Sequence, residues 1–222
     1  MSVSFIILAS MPIRSMKSLG SASLLKYKKQ TIIEKHIDNI ISTHNRPEIV
    51  VVGGFENKKI AKVLDRYSRV KYISHEISGT SNEAQSLFLG LENIKYNKAV
   101  VFSHNCIFDK KIWNKINTRM RKSFMVINNN KNFETDIGAT INDGLLEYVF
   151  FNLKNKSTGI YCLNKKHISY TKELASPRYH SYYMFEMINL MNSHEKFTFQ
   201  EINTKKHIII DSINKYNQAR GM

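Results

Sequence analysis

An aromatic cluster in the last part of the chain is the first feature whose residue types could bind a ligand. It contains Tyr179, Tyr182, Tyr183 and Phe185. Rings of this kind stack on a nucleobase or hold a choline-like cation against their faces. At helical spacing, however, aromatic residues more often pack in a core or at an interface. Packing is therefore the more common interpretation of this cluster.

Basic residues give the strongest compositional signal. The 222-residue chain has 33 Lys and Arg against 18 Asp and Glu, a formal charge of +15. Such an excess favours polyanions, among them nucleic acid, nucleotide phosphates and an acidic assembly surface. The basic residues form scattered short clusters, which is typical of a solvated surface. These clusters are Lys26–Lys29, Arg119–Lys122, Lys154–Lys156, Lys165–Lys166 and Lys205–Lys206.

Several familiar catalytic motifs are absent from the sequence. The eight histidines are scattered and form no His-x-x-x-His pair, so a zinc hydrolase motif is missing. There is also no Gly-x-Ser-x-Gly elbow and no Walker loop. The two cysteines, Cys106 and Cys162, lie in apolar strand-like runs and are expected to be reduced core thiols.

The first half of the chain alternates between predicted strands and helices. Thr31 and Glu34 form a capping box that predicts the start of the first helix. Further helices are predicted over Asn57–Tyr67, Asn82–Ile94 and Asp109–Lys122, and strands over Val3–Ala9, Glu48–Val52, Val70–Ile73 and Ala99–Ser103. This alternation predicts a parallel sheet with helices on both faces and ligands at the carboxyl ends of its strands.

The second half has a different pattern, because Asn142-Asp143-Gly144 predicts a hairpin turn. The turn would join strands over Gly138–Ile141 and Leu145–Phe151. Other strands are predicted over Met125–Ile127, Ser157–Leu163 and His207–Ile210, and helices over Tyr182–Met191 and Ile213–Arg220. We therefore predict one α/β domain over residues 1–222, with a mostly parallel Rossmann-like sheet flanked by helices and an antiparallel C-terminal extension.

The amino-terminal apolar run bears on the location of the protein. Ser4–Ala9 is far too short to span a bilayer, and no basic segment precedes it as in a secretory signal. We therefore expect a soluble, cytoplasmic protein without a membrane partner. Its abundance of Asn, Ile and Lys is typical of an AT-rich genome, viral or bacterial.

Short segments spread over nearly the whole chain form an ordered set of motifs. They are Phe5–Ser10 followed by Arg14, Leu24–Leu25 with Thr31–Glu34, Glu48–Gly53, Ser81–Leu87, Val100–Asp109, and Ile209–Ile213 with Ala219. In order and spacing they resemble the sugar-phosphate and choline-phosphate nucleotidyltransferases of the glycosyltransferase-A-like Rossmann class. The first segment is similar to that family's Leu-Ala-Ala-Gly-x-Gly-x-Arg loop, and the last to its closing Ile-Asp-Thr-x-x-Asp-x-x-x-Ala segment.

The resemblance implies transfer of a nucleoside monophosphate from a nucleoside triphosphate to a phosphorylated sugar or choline. It also implies Mg²⁺ as cofactor if the chain is active, and no cofactor otherwise. By the same resemblance, Arg14 and Asp211 would be catalytic and Asn105 and Asp211 would hold the metal. The residues implied in nucleotide binding are Ala9, Ser10, Arg14, Lys26, Asn82 and Ser86.

The chain departs from the family pattern at the phosphate loop. Met11-Pro12-Ile13 replaces the glycine-rich stretch, and Pro12 has no amide hydrogen to donate to a phosphate. The family's Pro-Lys pair falls on Ser21-Ala22, so a lysine that would offset phosphate charge is missing. Lys17 and Lys26 are the neighbours that could replace it.

The metal motif departs as well, because the first carboxylate falls on Asn105, with His104 before it. Asp211 is the remaining carboxylate candidate, with Asp109 as a possible helper. One carboxylate with an amide and an imidazole is a poor Mg²⁺ site, which predicts loss or strong reduction of transfer. Two alternatives remain open for His104: it could join Asn105 and Asp211 around a softer metal, or it could be a strand-end histidine hydrogen-bonded to a neighbouring loop.

Three functions are consistent with these patterns. The first is an enzyme, or an enzyme-derived nucleotide binder, with a degenerate site. The second is a structural or assembly component, including one of a virus, that uses the fold to hold protein partners. The third is a basic nucleic-acid-binding module, for which binding would weaken steeply with salt.

Overall fold

The computed structural model of the protein describes residues 3–75 and 82–221. Ser81, which opens one of the motif segments, lies outside the described residues. The strands are β1 (Ser4–Ala9), β2 (Lys26–Tyr27), β3 (Gln30–Thr31), β4 (Glu48–Gly53), β5 (Val70–Ser74), β6 (Ala99–Ser103), β7 (Cys106–Phe108), β8 (Phe124–Asn128), β9 (Ile137–Asn142), β10 (Leu145–Phe151), β11 (Asn155–Leu163), β12 (Thr198–Ile202) and β13 (His207–Ile209). The α-helices are α1 (Ile32–Thr43), α2 (Asn57–Leu64), α3 (Glu83–Glu92), α4 (Lys111–Lys115), α5 (Lys165–Glu173), α6 (Met184–His194) and α7 (Ile213–Arg220).

Within the described residues, nine strands form one mixed sheet. Its main path is β10-β9-β11-β6-β1-β4-β5, with β8 paired to β11 and β12 added to β8. Strands β1, β4, β5 and β6 pair in parallel, whereas β11 pairs antiparallel with β6, β8 and β9. Only β10 and β11 run against the other strands of this sheet. The predicted fold class, a mostly parallel sheet with an antiparallel C-terminal extension, is confirmed.

The central strand β1 is buried along its whole length because both faces of the sheet are covered. Phe5 packs in the apolar layer that includes Ile37 of α1. Ile6, on the opposite face, packs in the layer that includes Leu87 of α3. The side chains of β1 thus alternate between two cores, which fixes the positions of α1 and α3 relative to the carboxyl end of the sheet.

Two sequence predictions rest on residues that are close together in the chain. Thr31 and Glu34 form the predicted capping box at the start of α1. The β9–β10 hairpin turns at Asp143 and Gly144, whose φ values of 48° and 75° fit the left-handed turn that this pair favours. Both predictions are confirmed.

The predicted helix over Asp109–Lys122 is wrong in extent, because α4 covers only Lys111–Lys115. The side chain of Gln200 in β12 explains its early end. Its Nε2 donates to the Lys115 carbonyl at 2.6 Å, and its Oε1 accepts from the Asn117 amide at 3.0 Å. These bonds satisfy the backbone groups that a longer helix would have paired internally.

Strand β12 and helix α5 were not predicted from the sequence.

No helix among residues 3–75 and 82–221 is long and apolar enough to cross a membrane.

Candidate functional site

A cavity of about 250 Å³ lies where β6 and β1 end. Leu8 of β1, Ser103 of β6 and Asn105 form part of its wall. The remaining wall comes from β7, β9, β10, β11, β13, the segment before β9 and the starts of α3 and α6. We call it the strand-end cavity. Its position is the one that a sheet with parallel strands favours for ligands.

Aromatic rings form the mouth of the strand-end cavity. Phe151, Tyr161, Tyr183 and Phe185 all line it. The rings of Phe151 and Phe185 meet edge to face with centroids 5.2 Å apart, and those of Tyr183 and Phe185 are stacked at 5.7 Å. Tyr183 is 46% exposed and Phe151 44%, whereas Tyr161 and Phe185 are buried, so the exposed ring surface in this group belongs to Tyr183 and Phe151.

The aromatic cluster noted in the sequence therefore divides into two pairs. Tyr183 and Phe185 line the strand-end cavity, whereas Tyr179 and Tyr182 pack edge to face against each other at 5.2 Å. The second pair lies against the apolar layer under α3 and α6. Packing is thus the role of one pair, and the other has ring surface available to a ligand.

Glu83, the first residue of α3, adds a carboxylate to the cavity wall. Its Oε2 accepts from the Met184 amide at 3.0 Å, and burial raises the pKa of this carboxyl. Among residues 3–75 and 82–221, no basic side chain forms a salt bridge with it. Sequence analysis missed Glu83, because an acidic residue in a first helical turn usually only complements the helix dipole.

Two of the proposed nucleotide-binding residues meet beside the end of β1. Ala9 is the last residue of that strand, and the hydroxyl of the next residue, Ser10, hydrogen-bonds the hydroxyl of Ser86 in α3. Both serines are buried. His75 Nε2 lies 3.5 Å from Ser86 Oγ. The structure thus brings the loop after β1 against α3.

Asn82 has a structural role at the start of α3. Its Oδ1 accepts from the Glu83 amide at 2.9 Å, and its Nδ2 donates to the Ser181 carbonyl at 3.2 Å. It thereby ties α3 to the segment before α6. These bonds hold Glu83 and Tyr183, which come from separate elements, on the same cavity.

The two basic residues proposed for nucleotide binding lie on the surface. Arg14 begins a 3₁₀ helix over Arg14–Leu19 and is exposed, and Lys26 is exposed on β2. Neither lines the strand-end cavity as the described residues form it. The segment after β1 that carries Arg14 is fixed at its far end, because the Ser21 amide donates to the Glu56 carboxylate at 2.6 Å.

Asn105, one of the two proposed metal ligands, bonds the residue that precedes the other, Asp211. Ile210 donates its amide to the Asn105 carbonyl at 2.8 Å, and Asn105 Nδ2 donates to the Ile210 carbonyl at 2.9 Å. The Asp211 carboxylate, however, accepts from Lys215 Nζ at 2.5 Å. The side-chain nitrogen of Asn105 and the carboxylate of Asp211 are therefore both bonded to other groups of the protein.

These residues do not fit Mg²⁺. The ion needs near-octahedral oxygen ligands and is usually bound through one or two carboxylates. Here one candidate is an amide and the other is paired with a lysine. In the part of the chain that the structure describes, no group of three or more His, Cys, Asp or Glu side chains could hold a metal ion.

His104 is a buried, neutral strand-end residue. Its Nδ1 donates to the Leu8 carbonyl at 2.7 Å, and burial lowers the pKa of the imidazole to about 4. His104 is thus a hydrogen-bonded strand-end histidine, as one of the two alternatives predicted, but its partner belongs to strand β1 and not to a loop. Asp109, the other proposed helper, accepts from the Lys111 amide at 2.9 Å and lines a different cavity.

The two cysteines are free and buried. Cys106 lines the strand-end cavity, where burial and the nearby Glu83 carboxylate raise the pKa of its thiol to about 12. A thiol with this pKa is protonated near neutral pH and is a weak nucleophile. Cys106 therefore contributes surface to the cavity and not chemistry.

The fold is shared with solved nucleotidyltransferase structures. A CTP:phosphocholine cytidylyltransferase from Streptococcus pneumoniae is 16% identical, with a TM-score of 0.78 over 100% of this chain and 99% of that one. An inositol-1-phosphate CTP transferase from T. maritima is 12% identical, with a TM-score of 0.82 over 98% of this chain and 94% of that one. A nucleoside-diphosphate-sugar pyrophosphorylase from Vibrio cholerae is 14% identical, with a TM-score of 0.72 over 98% and 100%.

No protein-family model and no curated relative matches the sequence. The resemblance found in the motifs is thus confirmed at the level of the fold. The chain has the architecture of the sugar-phosphate and choline-phosphate nucleotidyltransferases along its whole length.

Proposed function

We propose that this protein binds a nucleoside triphosphate and a phosphorylated small acceptor as a nucleotidyltransferase does, with nucleotidyl transfer lost or strongly reduced. The observation that carries the proposal is the strand-end cavity, which lies at the carboxyl ends of β1 and β6 in a nucleotidyltransferase fold. Fold alone does not define activity, so the residues of the cavity must support the rest of the argument.

The nucleotide would lie along the loop after β1. Ser10, bonded to the buried Ser86, fixes the start of this loop, and the exposed Arg14 and Lys26 offer positive charge further along it. Pro12 removes one backbone donor from the segment that would cradle the phosphates. Side-chain charge, more than a nest of backbone amides, would therefore bind the triphosphate.

The cavity wall favours an acceptor with a positively charged head. Glu83 contributes a carboxylate without a basic partner among the described residues, next to the rings of Phe151, Tyr183 and Phe185. Aromatic faces with a nearby carboxylate suit a quaternary ammonium group. This chemistry favours choline phosphate over a sugar phosphate, whose hydroxyl groups would need more hydrogen-bonding partners.

Reduced transfer follows from the state of the two proposed metal ligands. The charge that builds on the phosphates during transfer must be offset by cations. Asn105 brings no charge and Asp211 is already paired with Lys215, so these two positions supply no unpaired carboxylate for a divalent ion. Binding can survive this change, whereas the chemical step loses its main electrostatic support.

A calorimetric titration with each nucleoside triphosphate, with and without Mg²⁺ or Mn²⁺, tests the proposal. We expect binding that depends little on metal, tighter binding of choline phosphate than of glucose 1-phosphate, and diphosphate release close to background. Absence of binding for every triphosphate would overturn the nucleotide part. Metal-dependent binding with rapid diphosphate release would overturn the reduced activity.

An assembly role is the second candidate, and the surface of β10 favours it. Tyr148 and Phe150 are 48% and 44% exposed, and their rings continue those at the cavity mouth. Contiguous exposed rings are typical of a surface that meets another protein. If light scattering showed a concentration-dependent oligomer that Tyr148→Ser with Phe150→Ser dissolved, this candidate would gain support; a monomer at all concentrations would count against self-assembly.

A further inference from the structure

A second cavity, of about 160 Å³, has walls rich in lysine. Lys28, Lys35, Lys110 and Lys206 line it, together with Asp109. Tyr27, Ile107 and Phe108 complete its lining. We call it the lysine cavity. Its wall carries more positive than negative charge, because it contains four lysines and one aspartate.

The lysines reach this cavity from separate parts of the chain. Lys28 lies in the turn between β2 and β3 and has a φ of 55°, and Lys35 lies on α1. Lys110 precedes α4 and Lys206 precedes β13. Since these segments are far apart in the sequence, tertiary packing brings their charges together. A run of adjacent lysines on one solvated surface would not converge in this way.

Lys35 is the most constrained member of the group. Its ammonium lies over the ring of Tyr27, 5.2 Å from the centroid. Burial and repulsion from Lys28 lower the pKa of Lys35. Among the described residues, no carboxylate forms a salt bridge with Lys35, Lys110 or Lys206. Lys28, Lys110 and Lys206 are exposed, so the free-energy cost of bringing like charges together, which a bound anion would offset, is largest at the half-buried Lys35.

The lysine cavity is separate from the strand-end cavity. In the antiparallel pair of β7 and β13, Cys106 lies opposite Ile209, and both line the strand-end cavity. Ile107, the next residue of β7, lines the lysine cavity. The two cavities have no lining residue in common.

We infer that the lysine cavity is a second anion site, which takes a small phosphorylated ligand with several charges. Lysine side chains bind phosphate oxygens as flexible point charges and do not require the planar geometry of an arginine site. The charges surround one small cavity and do not follow a groove, which favours a compact anion over a nucleic-acid backbone. The inference goes beyond the proposed function, because it uses none of the strand-end residues.

Titration calorimetry with inorganic diphosphate tests the inference, with saturating nucleoside triphosphate present to fill the other site. We expect diphosphate binding to persist under this condition and to weaken at least about tenfold in Lys35→Met with Lys206→Met. The matched control is Lys58→Met with Lys62→Met, which removes the same charge from exposed positions on α2. The control should bind diphosphate as the unaltered protein does.

Lys35 packs against Tyr27, so Lys110→Gln with Lys206→Gln provides a second variant that leaves this contact intact. It should weaken diphosphate binding in the same direction while thermal unfolding stays unchanged. Equal loss in the α2 control would mean general charge attraction and would overturn the inference. Diphosphate binding that stays unchanged in Lys110→Gln with Lys206→Gln would also overturn it, while leaving the proposed function intact.

Discussion

The ammonium group of Lys215 lies 2.5 Å from the carboxylate of Asp211, four residues earlier in the chain. Lys215 is 20% exposed and Asp211 42%. Ser15 Oγ donates to the Asp211 carbonyl at 2.6 Å, so the backbone at this point is also held. A divalent ion that used Asp211 would first have to displace Lys215. The positive charge beside the Asp211 carboxylate is therefore that of Lys215.

Restoring charge at both proposed ligands should create metal affinity. In Asn105→Asp with Lys215→Met, one carboxylate is added and the other loses its partner. Because divalent-ion affinity rises with the number of charged oxygen ligands, we expect Mn²⁺ to bind at least about tenfold more tightly than to the unaltered protein. Calorimetric titration with Mn²⁺ measures the change.

Two related variants isolate the contribution of each group. Asn105→Asp alone should raise the affinity less, because Lys215 still pairs with Asp211. Asn105→Asp with Asp211→Asn should not raise it. Asn105→Asp with Lys215→Met is the decisive variant. If this protein folds but binds Mn²⁺ no better than the unaltered protein, the side chains at positions 105 and 211 do not bind the same ion.

The carboxylate of Glu83 should select for a charged acceptor. Glu83→Gln keeps an oxygen that can accept from the Met184 amide but removes the negative charge. We expect choline phosphate to bind at least about tenfold more weakly to this variant. The carbon isostere of choline phosphate, in which carbon replaces nitrogen, should bind both proteins equally. Calorimetry with the two ligands separates charge recognition from loss of shape, and an equal loss for both would argue against a cation site.

Much of the fold could be predicted because its signals are local. The apolar run at β1, the Thr31 and Glu34 capping box, and the turn at Asp143 all act over a few residues. Strand β12 was missed, since it is set by parallel pairing with the distant β8. Helix α4 was predicted too long because the bonds that end it come from Gln200, far along the chain.

The site was less predictable, because packing between distant segments forms it. The motif resemblance indicated Ser10 and Ser86 as members of one nucleotide site, and Asn105 and Asp211 as metal ligands. No sequence signal placed Glu83 beside the cavity rings. Lys215 lies four residues after Asp211, a spacing that favours ion pairs on helices, but this pair was not predicted.

Glu56 should position the loop after β1. Its backbone has a φ of 58°, and its carboxylate accepts from the Ser21 amide at 2.6 Å and from Lys59 Nζ. Glu56→Ala leaves the Ser21 donor without this partner, and we expect a loss of about 1–2 kcal/mol in the free energy of unfolding. Hydrogen exchange should accelerate at Ser21 and in the adjacent 3₁₀ helix.

Lys59→Met is the control for the Glu56 substitution. It removes the exposed ion pair but keeps the bond to Ser21, and isolated surface pairs contribute little to stability. Stability and exchange at Ser21 should therefore change much less than in Glu56→Ala. Equal effects in both variants would assign the role of Glu56 to the ion pair and not to the loop.

Buried histidines should make the protein sensitive to mild acid. Burial lowers the pKa of His36 to about 3, of His104 to about 4 and of His207 to about 3. Their unfolded pKa is about 6.5, so below that pH the unfolded chain binds protons that the folded protein does not. Their full contribution to stability is present above pH ~6.5 and falls as the pH drops toward the folded values. For the three together we expect a loss on the order of 4 kcal/mol between pH ~8 and ~5.5, measured by denaturant unfolding.

Replacing one of these histidines should reduce that loss by about a third. His36 lies between the rings of Phe102 and Phe108, so His36→Phe keeps an aromatic side chain there while it removes the titrating group. The control is His194→Gln, because His194 is exposed and stacks on Tyr170 at the surface. It should leave the pH dependence of unfolding unchanged. If His36→Phe folds but shows the full acid sensitivity of the unaltered protein, proton uptake by His36 does not drive the loss, and other groups must bind the protons on unfolding.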